Sequence, residues 1–213
     1  MNKHTIVLWG IIAALVVISV LGFIFGRGQP QPTNKIGSPP PMAAADWLRG
    51  DLAAKAVLIE YSDFECPACA AYYPLVRQME EKFGASLAFV YRHFPLTTHR
   101  NAELAALAAE AAGRQGQFWT MHDWLFEHQT DWAGKSKAEE IFTRAAGELA
   151  LDKNLFVAAL SAKELKDKVL ASYREAQTLK LAGTPTFFLN GQELPLPITA
   201  AALEKIIAEK LNR

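Results

Sequence analysis

The residues best suited to chemistry are two cysteines, Cys66 and Cys69, and the chain has no others. Only Pro67 and Ala68 separate them, and this spacing suits a reversible disulfide because the first turn of a helix can hold two such sulfurs within bonding distance. A structural zinc site needs about four thiolate or imidazole ligands, and neither a second cysteine pair nor a paired-histidine pattern completes one. The sequence therefore predicts a redox-active cysteine pair and no metal site. The alternatives are an inert structural disulfide and two unrelated thiols.

The position of the pair assigns a different role to each sulfur. An ordinary cysteine has a pKa of about 8.5 and supplies only a few per cent of thiolate at neutral pH. Pro67 suits the first position of a helix, so Cys66 lies at the helix start, where unpaired N–H groups and the helix dipole favour an anion. We therefore expect Cys66 to be the attacking, exposed sulfur. Cys69, one turn further along, is expected to be the shielded, resolving sulfur.

The elements around the pair form a strand, a helix and a second strand. Residues 56–62 are an apolar run interrupted by Glu60, which predicts a central strand buried on both faces. The helix that begins at Pro67 is expected to end at Gly84. A second apolar run at 87–92 completes a βαβ unit with parallel strands.

A long helical region follows, and the chain then returns to a strand. Helices are expected near residues 101–112, 117–128, 137–149, 153–162 and 163–181. A strand at 186–189, a turn at Asn190-Gly191 and a final helix at 200–211 capped by Thr199 close the domain. A βαβ half and a ββα half with a helical block between them define an α/β thioredoxin fold. The domain is predicted at 44–213, with the helical insertion at about 96–182.

The N-terminal segment has the properties of a membrane helix. Residues 5–26 contain no ionisable side chain, and at about 1.5 Å per residue they span roughly 33 Å, enough for a hydrocarbon core of about 30 Å. We predict one transmembrane helix, within an anchor at residues 1–26. A cleaved signal peptide is the alternative, but the apolar region exceeds the usual roughly 7 to 15 residues and no small-x-small site follows it closely. The flanking charges determine the orientation only weakly.

Residues 27–43 and the overall composition complete the domain prediction. This stretch holds five of the eleven prolines and is expected to be an extended linker, the alternative being a proline-rich peptide ligand. The 213 residues are 51% hydrophobic and 21% charged, enough for one core. The 22 basic and 22 acidic residues create no basic field, so no nucleic-acid partner is predicted. No phosphate-binding loop is present, and we predict no cofactor.

Three separated motifs resemble those of a known family. They are the segments Glu60 to Cys69, Tyr91 to Pro95 and Gly183 to Gly191. In this order they are similar to the DsbA-like thiol-disulfide oxidoreductases, in particular the membrane-anchored bacterial members, and the resemblance covers roughly residues 50 to 210. It implies an enzyme that acts on exported proteins through a Cys66/Cys69 disulfide, with dithiol oxidation as the favoured direction. The alternatives are a reductase or isomerase and a non-enzymatic chaperone or copper-binding module, since two thiolates can bind Cu(I).

The resemblance also implies a location and partners. The expected location is the bacterial cytoplasmic membrane, with a single pass and the catalytic domain on the extracytoplasmic, periplasmic side. The expected partners are unfolded or thiol-containing exported proteins and a membrane redox partner that reoxidises or reduces Cys66 and Cys69. The lipid bilayer would be contacted through the N-terminal helix.

Further residues near the pair receive roles from the resemblance. Glu60 occupies the place of the family's buried acid, where burial is expected to raise its pKa and allow proton exchange with Cys69. The alternative is an acid at the strand edge that reaches solvent or pairs with Arg92. Thr184-Pro185 resembles the cis-proline loop that binds extended substrates, the alternative being an ordinary trans turn. Ala68 stands where the best-known oxidases have histidine, so a milder oxidant is expected.

Other side chains near these motifs are given structural roles. Asp63 and Glu65 are expected to be solvated loop acids, and His93 and His99 to be hydrogen-bonded polar groups rather than metal ligands. The aromatic and apolar residues of 117–128 are expected to lie mostly in the core, the alternative for a few of them being to line a peptide groove.

Overall fold

A computed structural model describes residues 37–43 and 45–212 of the chain. The predicted anchor and most of the predicted linker lie outside these residues. Within the part that the structure describes, no helix is both long enough and apolar enough to cross a membrane.

A mixed five-stranded sheet forms the centre of the domain. Its strands are β1 (Trp47–Arg49), β2 (Ala56–Ser62), β3 (Leu87–His93), β4 (Thr186–Leu189) and β5 (Gln192–Glu193). Their order across the sheet is β1-β3-β2-β4-β5. β2 pairs in parallel with β3, as the sequence predicts, and antiparallel with β4. The central position of β2 explains its apolar sequence, because residues on both of its faces are buried.

The predicted helices are present in the predicted order with small changes at their ends, and the short helix Gln129–Trp132 is an addition that was not predicted. They are α1 (Pro67–Phe83), α2 (Ala102–Gly113), α3 (Phe118–Glu127), α4 (Gln129–Trp132), α5 (Ala138–Glu148), α6 (Lys153–Leu160), α7 (Lys163–Thr178) and α8 (Ala200–Leu211). Helices α2 to α7 lie between β3 and β4 and form the helical block. Two helices are capped by side chains: Asp152 accepts hydrogen bonds from the first turn of α6, and Thr199 accepts one from α8.

The two faces of the sheet pack against separate hydrophobic clusters. Leu58, Phe89 and Phe187 belong to the larger cluster, which includes side chains from α1, α8 and the helical block. Ile59, Val90 and Phe188 point to the other face and pack against the end of α7 and the chain that follows it. Alternate residues of β2 and β3 therefore face different environments, and the side chains of Glu60 and Tyr91, which are register partners, share the face with α1.

The described end of the Pro-rich segment contacts this domain. The Gly37 N–H donates to the carbonyl oxygen of Leu179 at 3.3 Å, and Arg92 donates to the carbonyl oxygen of Pro41 at 3.3 Å. Arg92 is 5% exposed and also pairs with Asp46 and Glu175, at 2.8 and 2.9 Å. A buried cation thus holds Pro41 and Asp46 next to Glu175 of α7.

Candidate active site

Cys66 and Cys69 lie at the start of α1, as the sequence predicts. Cys66 is the N-cap residue, Pro67 occupies the first helical position and Cys69 lies in the first turn. Both thiols are free in this structure. The expectation of an exposed Cys66 is wrong: the residue is only 6% exposed and Cys69 is fully buried, whereas Pro67 and Ala68 between them are exposed.

The two sulfurs have opposite pKa shifts. The pKa of Cys66 is lowered to about 5, chiefly by a hydrogen bond from the Cys69 side chain. Burial opposes this effect, while contacts with Thr184 and with the backbone N–H groups of Ala68 and Cys69 add to it. Burial raises the pKa of Cys69 well above its usual range, and the hydrogen bond to Cys66 raises it further. At neutral pH the reduced site therefore carries a thiolate on Cys66 and a thiol on Cys69.

The Thr184-Pro185 segment lies directly beside Cys66. The peptide bond between these residues is cis, and the Cys66 sulfur is 3.4 Å from the carbonyl oxygen of Thr184. The trans-turn alternative is therefore wrong. Because β4 begins at the next residue, Thr186, the sheet fixes the main chain of this segment next to the sulfur.

Glu60 is a buried acid on the face of β2 that points towards α1. It is 3% exposed, and its pKa is raised to about 8, chiefly by burial; the charges of Glu80 and Cys66 contribute to the increase, and a hydrogen bond with Ser62 opposes it. The ionised form of Glu60 in turn raises the pKa of Cys69. Pairing with Arg92 does not occur, because Arg92 lies on the opposite face of the sheet with Asp46 and Glu175. Glu60 is thus protonated at neutral pH and electrostatically coupled to the cysteine pair.

The loop between β2 and α1 differs from the sequence prediction. Asp63 and Glu65 are 2% and 6% exposed, so the expectation of solvated acids is wrong. Asp63 accepts hydrogen bonds from the N–H groups of Glu65 and Leu96, at 2.7 and 2.9 Å. Glu65 accepts from the N–H groups of Asn101 and Gly134. Both carboxylates are buried because backbone donors satisfy their oxygens.

Both histidines near the motifs are hydrogen-bonded. His99 Nδ1 lies 2.7 Å from a carboxylate oxygen of Asp63, and its pKa is raised: burial lowers it, but the hydrogen bond and the charge of Asp63 outweigh burial. His93 Nε2 lies 3.0 Å from the buried carboxylate of Glu110. In the part of the chain that the structure describes, no group of three or more His, Cys, Asp or Glu side chains could hold a metal ion.

Gln129 contacts the site, although the sequence did not indicate it. Its side-chain amide donates to the carbonyl oxygens of Phe64 and Cys66, at 2.7 and 3.0 Å. A single glutamine 63 residues away from Cys66 carries no motif or periodic pattern, so only the folded structure reveals it. The neighbouring helix α3 is mostly core, as predicted: Phe118, Met121 and Leu125 are at most 1% exposed.

Comparison with known protein sequences places the chain in a family. The family model described as Thioredoxin matches residues 43–209. The chain is 37% identical over 163 residues to the Na(+)/H(+) antiporter NhaA 3 of Salinispora tropica, a match covering 76% of this chain and 24% of that protein. It is 36% identical over 206 residues to the Na(+)/H(+) antiporter NhaA 1 of Mycolicibacterium vanbaalenii, covering 91% of this chain and 32% of that protein. The chain thus spans less than a third of the length of these relatives.

Solved structures with the same fold include BdbD from Bacillus subtilis in its oxidised form, with a TM-score of 0.75 and 19% identity over 84% of this chain and 100% of that one. The α-DsbA1 protein of Wolbachia pipientis has a TM-score of 0.72 and 20% identity, with 80% of this chain and 93% of that one covered. A thioredoxin-like oxidoreductase from Silicibacter pomeroyi has a TM-score of 0.68 and 24% identity, covering 80% and 95%. These similarities establish a shared fold, and the match to the family model over residues 43–209 shows that the chain belongs to the thioredoxin family.

Proposed function

We propose that the chain is a thiol-disulfide oxidoreductase that works through Cys66 and Cys69, with dithiol oxidation as its main direction. The observation that carries the proposal is the opposite pKa shift of two sulfurs in one helical turn. Exchange needs one sulfur that is a stable thiolate at neutral pH and a second that holds its proton until it attacks.

In the oxidising direction, a substrate thiolate attacks the sulfur of Cys66 in the Cys66–Cys69 disulfide. The disulfide breaks, a mixed disulfide forms between substrate and Cys66, and Cys69 leaves as a thiolate that takes up a proton. The second substrate thiol loses its proton and attacks the substrate sulfur of the mixed disulfide, so Cys66 leaves as a thiolate. Two electrons pass from the substrate dithiol to the cysteine pair. The reverse sequence reduces a substrate disulfide.

Glu60 is the proposed proton donor to Cys69. Its pKa of about 8 means that most Glu60 side chains are protonated at neutral pH, so a proton is available inside the domain when the buried Cys69 thiolate forms. In the reverse direction, ionised Glu60 accepts the proton of Cys69. Both steps keep an uncompensated charge from persisting on the buried sulfur.

Substrate binding is proposed along Thr184 and Pro185. The carbonyl oxygen of Thr184 is 3.4 Å from the reactive sulfur, and an extended peptide that pairs with this main chain would bring its own cysteine to Cys66. Pro67 and Ala68, which are exposed, line the other side of the same approach.

The favoured direction follows from the stabilised thiolate. Lowering the pKa of Cys66 stabilises the reduced pair, and this makes the disulfide a stronger oxidant. The apolar run at 5–26 and the resemblance to membrane-anchored family members support an anchor at 1–26, a linker at 27–43 and a catalytic domain at 44–213 on the extracytoplasmic side. Exported thiol proteins would then be substrates, and a membrane protein would restore the disulfide.

The test uses the full chain in detergent micelles. Its Cys66/Cys69 reduction potential is measured against glutathione, and oxidative refolding of a reduced protein is compared with reduction of insulin, with Cys66→Ser as the inactive control. We expect the wild-type chain to catalyse oxidative refolding and the Cys66→Ser variant to lack this activity. Insulin reduction with a potential near that of thioredoxin would replace the oxidase assignment by a reductase. If neither reaction occurs and Cu(I) binds tightly, the enzyme proposal is wrong.

A further inference from the structure

The loop that carries Cys66 is fastened to the helical block by three polar side chains. Asp63 accepts from the N–H group of Leu96 and pairs with His99. Glu65 accepts from two backbone N–H groups of the block. Gln129, the first residue of α4, donates in the opposite sense, from the block to the loop. We call Asp63, Glu65 and Gln129 the loop clamp.

Gln129 differs from the other two members because it binds the main chain of Cys66 itself. Its side-chain nitrogen has two N–H groups, and the carbonyl oxygens of Phe64 and Cys66 accept them at 2.7 and 3.0 Å. The carbonyl of Cys66 also accepts the first hydrogen bond of α1, from the Ala70 N–H at 3.1 Å. One side chain thus fixes the residue at which loop becomes helix.

The contacts that stabilise the Cys66 thiolate depend on this main-chain position. They come from the Cys69 side chain, from backbone N–H groups at the start of α1 and from Thr184. Hydrogen bonds weaken steeply as their geometry departs from the optimum. A rotation of the Cys66 main chain therefore displaces the sulfur from all of these partners together.

We propose that Gln129 is a positioning residue for Cys66, through which the helical block between β3 and β4 controls the stability of the Cys66 thiolate. The inference rests on the proposed function, because it concerns the same exchange reaction. Gln129 acts through the main chain of Cys66 and has no direct contact with the sulfur among its hydrogen bonds. The titratable side chains near the site, Glu60, Asp63, Glu65 and His99, are not altered when Gln129 alone is replaced.

The test compares Gln129→Met with Gln115→Met in the full chain. Methionine has nearly the length of glutamine but no N–H donors, so Gln129→Met removes two hydrogen bonds to backbone carbonyls. Gln115 is a matched control within the helical block, since its side chain makes two hydrogen bonds to the main chain of Asp152, at 2.9 and 3.2 Å. Melting temperature, the pKa of Cys66 from thiolate absorbance and the reduction potential are measured for each variant.

We expect both substitutions to lower the melting temperature, and only Gln129→Met to change the pKa of Cys66 and the reduction potential. The pKa of Cys66 should rise by about one unit and the potential at pH 7 should fall by about 30 mV, the equivalent of a tenfold change in equilibrium constant. Unchanged pKa and potential in Gln129→Met would overturn the inference, whatever happens to its stability.

A second variant protects the test against a folding defect. If Gln129→Met does not fold, Gln129→Leu takes its place, because leucine also lacks N–H donors and adds no charge. Its pKa shift at Cys66 should be upward and of similar size. The wild-type protein separates the two proposals: wild-type exchange with an unshifted variant contradicts the role of Gln129, and absence of wild-type exchange contradicts the function.

Discussion

The hydrogen bond from Cys69 to Cys66 should set most of the thiolate stability, and this can be tested by two substitutions of similar size. It is the largest cause of the lowered pKa of Cys66. Cys69→Ala removes the donor, whereas Cys69→Ser keeps a hydroxyl donor at nearly the same place. Because Cys69 is fully buried, both variants leave the surroundings of Cys66 otherwise close to native.

The expected size of the effect follows from hydrogen-bond energetics. A hydrogen bond to a charged group contributes about 1.5–3 kcal/mol, and one pKa unit equals about 1.4 kcal/mol, so its loss raises a pKa by about 1 to 2 units. Starting from a pKa of about 5, Cys66 in Cys69→Ala should titrate at about 6 to 7. In Cys69→Ser the pKa should stay within about half a unit of the wild-type value, since a hydroxyl is an equally good donor.

The assay is the ultraviolet absorbance of the thiolate in the reduced full chain, followed from acid to neutral pH. Cys66→Ser supplies the background from tyrosine and from the unfolding of the protein at low pH. The reasoning is refuted if Cys69→Ala and Cys69→Ser have the same pKa. A shared value near 5 would mean that the backbone N–H groups at the helix start stabilise the anion without help from Cys69.

Four further predictions concern proton transfer and stability. Glu60→Gln should slow exchange most near neutral pH and remove a rate inflection near pH 8; an unchanged rate–pH profile contradicts proton transfer. The raised pKa of Glu60 means that this residue binds more protons in the folded than in the unfolded state, so its own contribution to stability falls as pH rises towards 8, while the lowered pKa of Cys66 acts in the opposite sense in the reduced protein; in denaturant titrations, the stability of Glu60→Gln relative to the wild type should therefore increase as pH rises towards 8. Asp152→Ala should lower the unfolding free energy by about 0.5–2 kcal/mol through loss of the α6 cap while leaving the reduction potential unchanged. Arg92→Met should cost about 3 kcal/mol in the same titration, because Asp46 and Glu175 lose their buried partner; a cost near zero would show that the pairs contribute no net stability.

The sequence predicts most of this fold because its signals are local. The strand β2, the helix α1 between Pro67 and Gly84 and the final helix with its Thr199 cap all agree with their predicted bounds to within about a residue. The short elements β1 and α4 were not predicted, because they lack such local signals. The strand β1 has three residues and exists because it pairs with β3, and the four-residue helix α4 is too short to show a period.

The same distinction applies to the candidate site: some of its features depend on neighbours in sequence and others on distant residues. Cys66, Cys69 and Pro67 are neighbours in sequence, so their spacing predicts a helix start that holds both sulfurs. The burial of Asp63 and Glu65 was not predictable, because, apart from the Glu65 N–H that Asp63 accepts, the donors that satisfy them belong to residues 33 to 69 positions away. A carboxylate next to a reactive cysteine is expected in solvent unless partners are known. Only the folded chain shows that the helical block supplies those partners.

The electrostatics of the site also link electron transfer to proton transfer. The charge of Cys66 raises the pKa of Glu60, and a thiolate on Cys66 exists only when the disulfide is open. Glu60 therefore holds its proton more tightly in the reduced form than in the oxidised form, and by linkage each proton that Glu60 binds favours reduction of the pair. Removing this carboxyl group in Glu60→Gln should consequently change the pH dependence of the reduction potential, which tests the electrostatic coupling, as well as the exchange rate, which tests proton donation to Cys69.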